Sequence, residues 1–350
     1  MGEIFNNPAV AVQSWYVVAR SAEVRPGRAL SRELARRRVA VYRGRDGKVQ
    51  ALGGRCPHLG ADLGRGQVIG DRLQCVFHRW TFDRSGRCVH APSLDAIPPS
   101  ARTFSYPTDE RYGAVWIFNG PRALFPIPSF SRWSDEQLAA VALPPQTINC
   151  HPHVVTCNGL DIHHFKAVHG LEFAEAPVAE QLDPYRIRLR LRIRLRGRSF
   201  FQIALRRIAG DVVDVTFTTW GGNLATLEGS AGPVPLLVLF THRPSAGGRS
   251  ASQTFLFAPR QRGWRRWIGT DLLLLGALRL IMGNILARDR ALLDTLEFRS
   301  NLTAADAALA TFVLQVNAMQ VFDPESSGSL NEPAGADDAR SAPAAGEAAP

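Results

Sequence analysis

Apolar and polar residues alternate with different periods along this chain, and each period predicts a different kind of element. Between Ser14 and Gly120 the runs are short. Arg38–Tyr42 alternates, Arg45–Gly47 is a hairpin turn and Gly113–Ile117 closes the segment, so a small β domain is expected. Closely spaced prolines from Pro121 to Pro128 can continue neither a strand ladder nor a helix, and they mark a boundary. Beyond it, Tyr185–Arg196 alternates strictly. Ile187, Leu189, Leu191, Ile193 and Leu195 lie on one face and Arg188, Arg190, Arg192 and Arg194 on the other, the period of a half-buried strand. Further strands are expected at Asp211–Trp220, Pro235–Thr241 and Ser252–Phe257, whereas Ile281–Arg299 has helical spacing. After about Asp323 the chain is Pro, Ala, Gly, Ser and acid with almost nothing apolar to bury, which predicts a disordered tail. The expected organisation is a domain over 1–120, a second over 121–322 and a tail over 323–350, without internal repeats.

Length and charge narrow the class. With 350 residues, 45% hydrophobic and 21% charged, the chain can bury a sizeable core and is not a fibrous or disordered protein. Lys and Arg together number 41 against 31 Asp and Glu, a net charge of +10, and Lys occurs only at Lys48 and Lys166. A basic surface favours acidic partners. No helix-turn-helix, zinc-finger or RNA-recognition signature accompanies the charge, so nucleic acid is not expected; an acidic protein or an anionic membrane surface competes for that role. Five cysteines are too few for a disulfide scaffold, and no basic stretch leads into an apolar one at the N-terminus, so a reducing cytoplasm is the default expectation. The most apolar run, Leu272–Ala287, is interrupted by Arg279 and Asn284 and falls short of the roughly 20 residues that span a bilayer. It reads as a buried or interfacial helix rather than a transmembrane one.

Candidate chemistry lies in two places. Cys56-Pro-His58 and Cys75-Val-Phe-His78 each offer one thiolate and one imidazole, separated by a Gly-rich loop. A two-iron, two-sulfide cluster can take thiolates on one iron and imidazoles on the other, and two short loops that each donate one Cys and one His supply that set: the Rieske arrangement. Zinc also accepts two Cys and two His, but structural zinc loops usually pair like with like. Cys88, Cys150 and Cys157 lack this spacing and read as buried thiols.

The second place is Asn158-Gly-Leu-Asp161-Ile-His163-His164-Phe-Lys-Ala-Val-His169. Mononuclear iron of the two-histidine, one-carboxylate type needs three ligands on one face and open positions beside them. On a regular helix His164 and His169 lie about 140° apart, so both face one metal only if the helix ends or bulges between them, and Gly170 is compatible with an end. A third ligand follows from burial. Met282, Ile285, Leu286, Leu292, Leu293 and Leu296 form one apolar stripe with Asp289 in its middle. A buried carboxylate there must be neutralised by protonation, an arginine or a metal. Asp294 lies off the stripe with Arg290 one turn earlier, an ordinary surface pair.

With both constellations in hand, the chain resembles the oxygenase component of the Rieske non-heme iron oxygenases, most closely the single-subunit-type members. The resemblance runs from Ser14-Trp-Tyr-Val-Val-Ala19 through the cluster loops, Ile97-Pro-Pro and Glu110–Ile117 to Asp161, His164 and His169. Phe77 and Arg79 depart from it, standing where the family commonly has Tyr and Gly, and the match around Asp289 is little more than an Asp followed by apolar residues. The resemblance implies an α+β fold: an N-terminal antiparallel β Rieske domain and a C-terminal helix-grip-like catalytic domain with a large antiparallel sheet. It implies that Cys56, His58, Cys75 and His78 hold a [2Fe-2S] cluster, and that His164 rather than His163, with His169 and Asp289, holds a mononuclear Fe(II). It further implies a homotrimer in which Asp161 links His164 to a cluster histidine, His78, of the neighbouring subunit. The reaction expected is O2-dependent oxidation of an apolar or aromatic small molecule, by hydroxylation, demethylation or N-oxygenation, with electrons from NAD(P)H through a separate ferredoxin or flavin reductase. The alternative is a non-catalytic electron carrier, a Rieske domain fused to a helix-grip ligand-binding domain. The Arg face of Arg188–Arg194 is a solvated strand face or a dock for an acidic ferredoxin.

Overall fold

A computed structural model describes residues 3–195, 206–207, 210–260, 270–299 and 301–324. The N-terminal part consists of three small antiparallel sheets. Strands β1 (Trp15–Arg20), β10 (Thr108–Arg111) and β11 (Ala114–Phe118) form one, in the order β1-β11-β10. A second joins β2 (Ala29–Leu34), β3 (Arg37–Arg43), β4 (Val49–Gly53) and β9 (Ser105–Tyr106). The expected turn at Arg45–Gly47 joins β3 to β4, with Gly47 at φ 80° and its N–H on the Gly44 carbonyl. The third sheet is built from the short strands β5 (Gln67–Ile69), β6 (Arg72–Gln74), β7 (Thr81–Phe82) and β8 (Cys88–His90).

The second part is a nine-stranded antiparallel sheet. Its path runs β12 (Leu138–Ala142), β20 (Arg249–Pro259), β19 (Val234–Ser245), β18 (Leu224–Ala231), β17 (Val212–Trp220), β16 (Arg186–Arg194) and β14 (Glu172–Phe173). Strand β13 (Gln146–Ile148) also pairs with β20, and β15 (Val178–Asp183) with β16. The alternation in β16 has its expected effect: Ile187, Leu189 and Leu191 are buried while Arg190 and Arg192 are exposed. That basic face is already matched by acid on the strands beside it and on the loop between β14 and β15. Arg190 pairs with Glu180, and Arg192 with Glu175 and Asp214, as a solvated sheet face requires.

Four helices flank this sheet among the described residues: α1 (Pro152–Cys157), α2 (Ile162–Ala167), α3 (Thr270–Leu293) and α4 (Ala307–Asn317). Helix α3 departs from the expectation in length and phase. Its described span runs from Thr270, so the apolar run Leu272–Ala287 is part of it, and it stops at Leu293 rather than Arg299. Leu275, Leu278 and Met282 pack on Val238, Leu256 and Ala258 of β19 and β20. Leu293 is buried, but Leu296 lies past the helix end and Leu292 is turned outward, and both are exposed. The apolar stripe is therefore narrower than helical spacing alone predicts, because contact with the sheet and not periodicity sets which leucines are covered. None of the helices among the described residues is long and apolar enough to cross a membrane. The predicted tail from 323 lies almost wholly outside the described residues.

The two parts share a core. Trp15, Trp116 and Phe118 of the first pack with Trp220, Leu224, Leu237, Phe255 and Phe257 of the second. Trp116 is fully buried and its ring stacks on Phe255 at 6.1 Å. Asn223 ties the same junction by donating to the Trp15 and His242 carbonyls.

Candidate metal centres

The two cluster loops are tight turns with their thiols inward. In the first, the Cys56 N–H bonds the Ala61 carbonyl and the Gly60 N–H returns to the Cys56 carbonyl, a turn that Gly60 permits with φ 74°. In the second, the Cys75 N–H bonds the Trp80 carbonyl. Arg79 in this loop has φ 61°, so the position where the resembling family has Gly takes a left-handed backbone here too, with an arginine bearing its cost of about 1–2 kcal/mol. Both thiols are free and buried, whereas His58 is exposed and His78 half-buried. The two imidazoles lie side by side, ring centroids 4.6 Å apart, and His58 stacks on Trp80 with its plane tilted by only 3°. Burial, reinforced by the neighbouring Cys75, pushes the Cys56 thiol up to about 12. A cation is therefore needed to draw the proton off.

The chemistry of this donor set fits a two-iron cluster better than one zinc. A tetrahedral zinc brings all its ligand atoms within about 4 Å of one another. Among the described residues, the one group of three or more Cys, His, Asp or Glu ligand atoms closing to within 4.8 Å is His164, His169 and Asp289, not the Cys/His quartet. Thiols grouped inside and imidazoles grouped outside match a rhomb with unlike ends.

The second centre is built by a helix that stops in time. Asp161 caps α2, its Oδ1 accepting from the His164 N–H at 2.9 Å. The helix ends at Ala167, where the Gly170 N–H bonds the Lys166 carbonyl, the Leu171 N–H bonds that of Phe165 and Gly170 takes φ 62°. This termination carries His169 back over the helix end, so that the two Nε2 atoms lie 3.1 Å apart, which a continuous helix would forbid. His163 points away and is exposed. Asp289 enters from α3 with Oδ1 3.2 Å from His164 Nε2 and 2.9 Å from His169 Nε2. Among the described residues no arginine pairs with it. Those separations are ion-pair distances, yet no N–H is aimed along them, and Oδ1 is buried without a directed hydrogen bond. Burial alone would raise its pKa, but the two imidazoles outweigh burial and hold it below the usual carboxylate value. Three lone-pair donors that face one another fit a cation between them. Ligands about 2.1 Å from a metal and mutually at right angles stand about 3.0 Å apart, close to the three separations seen.

Sequence reasoning missed two features of this site. Asn158 Nδ2 lies 3.3 Å from His164 Nε2, although Asn158 precedes the histidines in the same segment. The site also opens on a cavity of 360 Å³ whose walls are mostly Ile, Leu, Val and Phe, including Ile148, Phe217, Phe240 and Leu286. Its polar lining includes Gln146, Thr156, His242, Ser252 and Thr254. His242 could have been found as the one polar residue ending the apolar face Val238–Phe240–His242 of β19. Asp294 is more than a surface pair: besides Arg290 at 3.3 Å, it accepts from the Asn149 N–H at 2.8 Å. Cys88, Cys150 and Cys157 are free and buried, and burial pushes the Cys150 thiol up to about 12, as inert core thiols behave.

Comparison with known proteins finds relatives of the first domain and of the whole fold. Residues 14–107 match the Rieske [2Fe-2S] domain. The chain is 37% identical over 126 residues to aminopyrrolnitrin oxygenase of Pseudomonas fluorescens, covering 34% of each protein. It is 32% identical over 160 residues to the oxygenase component of chloroacetanilide N-alkylformylase of Rhizorhabdus wittichii, covering 45% of this chain and 46% of that one. The chain thus spans less than half the length of these curated relatives. In fold the likeness is wider: the structure of dicamba monooxygenase bound to dicamba superposes with a TM-score of 0.65 at 22% identity, over 88% of this chain and 98% of that one.

Proposed function

We propose that this chain, whose residues 14–107 are a Rieske [2Fe-2S] domain and whose fold is that of the Rieske oxygenases, is an oxygenase component that oxidises an apolar or aromatic small molecule with O2. The observation that carries the proposal is the closed triangle of His164, His169 and Asp289 at the edge of an apolar cavity. An electron carrier fused to a ligand-binding domain would use the cavity but would not need the triangle.

Cys56, His58, Cys75 and His78 would hold the cluster, and His164, His169 and Asp289 the mononuclear iron. When bound, the cluster supplies single electrons and the iron supplies O2-dependent oxidation chemistry. The protein's part is orientation and exclusion of water. Asp161 fixes the first turn of α2 and with it His164, while Asn158 stands beside the His164 ring. The cavity walls present apolar side chains to the substrate, leaving solvent little to bond to. His58 is exposed and His78 half-buried, so both are within reach of another protein. In this proposal a homotrimer sets these two histidines against the neighbour's Asp161, which links His78 to His164, and a ferredoxin or flavin reductase brings electrons from NAD(P)H. The cytoplasm supplies both.

Iron content tests the reading. Reconstituted protein should hold about three Fe per chain and show Rieske absorption. About two Fe per chain, with the absorption intact and the triangle empty, would support the electron-carrier alternative instead.

A further inference from the structure

The cavity contains a polar row that the metal chemistry does not use. Gln146 on β13 pairs in register with Ser252 on β20, and Ser252 pairs with His242 on β19, so the three residues lie in one line across three adjacent strands. All three line the cavity. Their place is on the sheet wall, whereas His164 and Asp289 come from helices α2 and α3 and His169 from the turn that follows α2. From this juxtaposition we infer that Gln146, Ser252 and His242 form a subsite that orients a neutral, mostly apolar substrate through a single carbonyl or hydroxyl group.

The fold gains nothing from an imidazole at this position. The face of β19 that carries it continues from Val238 and Phe240, and an apolar residue would cover the same wall without the cost of burying a polar ring. The ring is held in place. Ser252 Oγ lies 2.9 Å from its Nδ1, and the backbone N–H of His242 bonds the Asn223 carbonyl at 3.0 Å. Among the described residues Nε2 has no hydrogen-bond partner, which leaves it for a ligand. A serine hydroxyl either donates or accepts, so the ring can present Nε2 as donor or as acceptor, and the Gln146 amide offers both functions. The row therefore suits a carbonyl or a hydroxyl equally. The row itself carries no lysine or arginine, and burial lowers the pKa of His242 to about 3, so its imidazole stays neutral; the cationic side chains that line the cavity, Arg288 and Arg290, belong to α3 and not to this sheet wall.

The inference rests on the oxygenase reading and names its substrate class. Its test reads binding rather than turnover, so the two can fail separately. Three probes of one shape are used with the metal-loaded protein: 2-acetylnaphthalene with a neutral carbonyl, 2-ethylnaphthalene with no polar group, and 2-naphthoate with a charge. Their dissociation constants are measured by quenching of naphthalene fluorescence. The ketone should bind about tenfold tighter than the hydrocarbon, and the carboxylate more weakly than the ketone. In His242→Phe the preference for the ketone should vanish while 2-ethylnaphthalene binds as before. Ser252→Ala frees the ring without adding bulk and should reduce the same preference, so the test stands if the Phe variant does not fold. Wild-type protein that binds ketone and hydrocarbon alike would overturn the subsite. So would variants that weaken both ligands by the same factor. An empty triangle would overturn the oxygenase reading and leave the binding preferences to decide this one.

Discussion

Asp289 and Asp294 stand on successive turns of one chain segment, and the structure gives them different tasks. Asp289 faces two imidazoles inside the cavity, so Asp289→Ala removes one of three ligand atoms from the triangle. Iron should fall from about three to about two per chain by elemental analysis, with the cluster absorption unchanged. Asp294 faces outward to Arg290 but also holds the Asn149 N–H just before α1. Asp294→Ala should keep the iron and lower stability by about 1–2 kcal/mol in urea titration, since a charge-assisted bond to backbone is lost with the pair. A change below about 0.5 kcal/mol, the scale of a surface pair, would show that the Asn149 bond contributes nothing.

At the scale of elements, two glycines show where the backbone has room. Gly159 lies in the turn between α1 and α2, and a Cβ there would meet Phe217 Cζ at 2.1 Å. Phe217 belongs to the cavity wall, so Gly159→Ala must move either that wall or the turn that carries Asn158 and Asp161. A loss of about 1–3 kcal/mol and weaker iron retention are expected, read by thermal melting and metal analysis of the same samples. Gly276 in α3 has open space where its Cβ would be. Gly276→Ala should raise stability by about 0.5–1 kcal/mol with full metal content, because it restricts the unfolded chain and meets nothing in the folded one. The same helix holds Asp289, so a loss of iron here would show that the helix shifts on its sheet.

Over the whole molecule, the junction through Trp15, Trp116 and Phe255 makes the two parts interdependent. Trp116→Ala should cost about 3–5 kcal/mol, and cluster absorption and overall helix content should be lost in one transition. Separate transitions would show that the parts fold alone. Acid should act on the whole molecule as well. Burial lowers the pKa of His151 to about 4 and that of His242 to about 3, and holds that of His153 well below the ordinary value. In the unfolded chain these rings take up protons near pH 6.5, so below that pH the unfolded state binds more protons than the native one, and stability falls as pH falls. Between about pH 7 and about pH 5 each buried neutral imidazole accounts for up to about 2 kcal/mol. His242→Phe should shrink the acid-induced drop in urea stability by about that amount, and an unchanged drop would mean that His242 is protonated in the folded protein.

Short-range order was enough to single out both candidate centres. Cys56, His58, Cys75 and His78 stand out because each loop must deliver a thiolate and an imidazole within a few residues, a constraint that adjacent positions satisfy by themselves. Alternation in Arg186–Arg194 exposed its own half-buried face for the same reason, since strand geometry repeats every two residues. Asp289 could be singled out because a carboxylate inside an apolar stripe is costly wherever the stripe is covered. What sequence alone did not decide depends on contacts between distant segments. The termination of α2 at Ala167, and not helical phase, sets His169 against His164. The packing of α3 on β19 and β20 decides which of its leucines are covered and leaves Leu292 in solvent, and the helix end at Leu293 leaves Leu296 there too. Strand register alone aligns Gln146, Ser252 and His242, three residues with no common motif. Local periodicity fixes which way a side chain points relative to its own element; only the packing of elements fixes what it meets there.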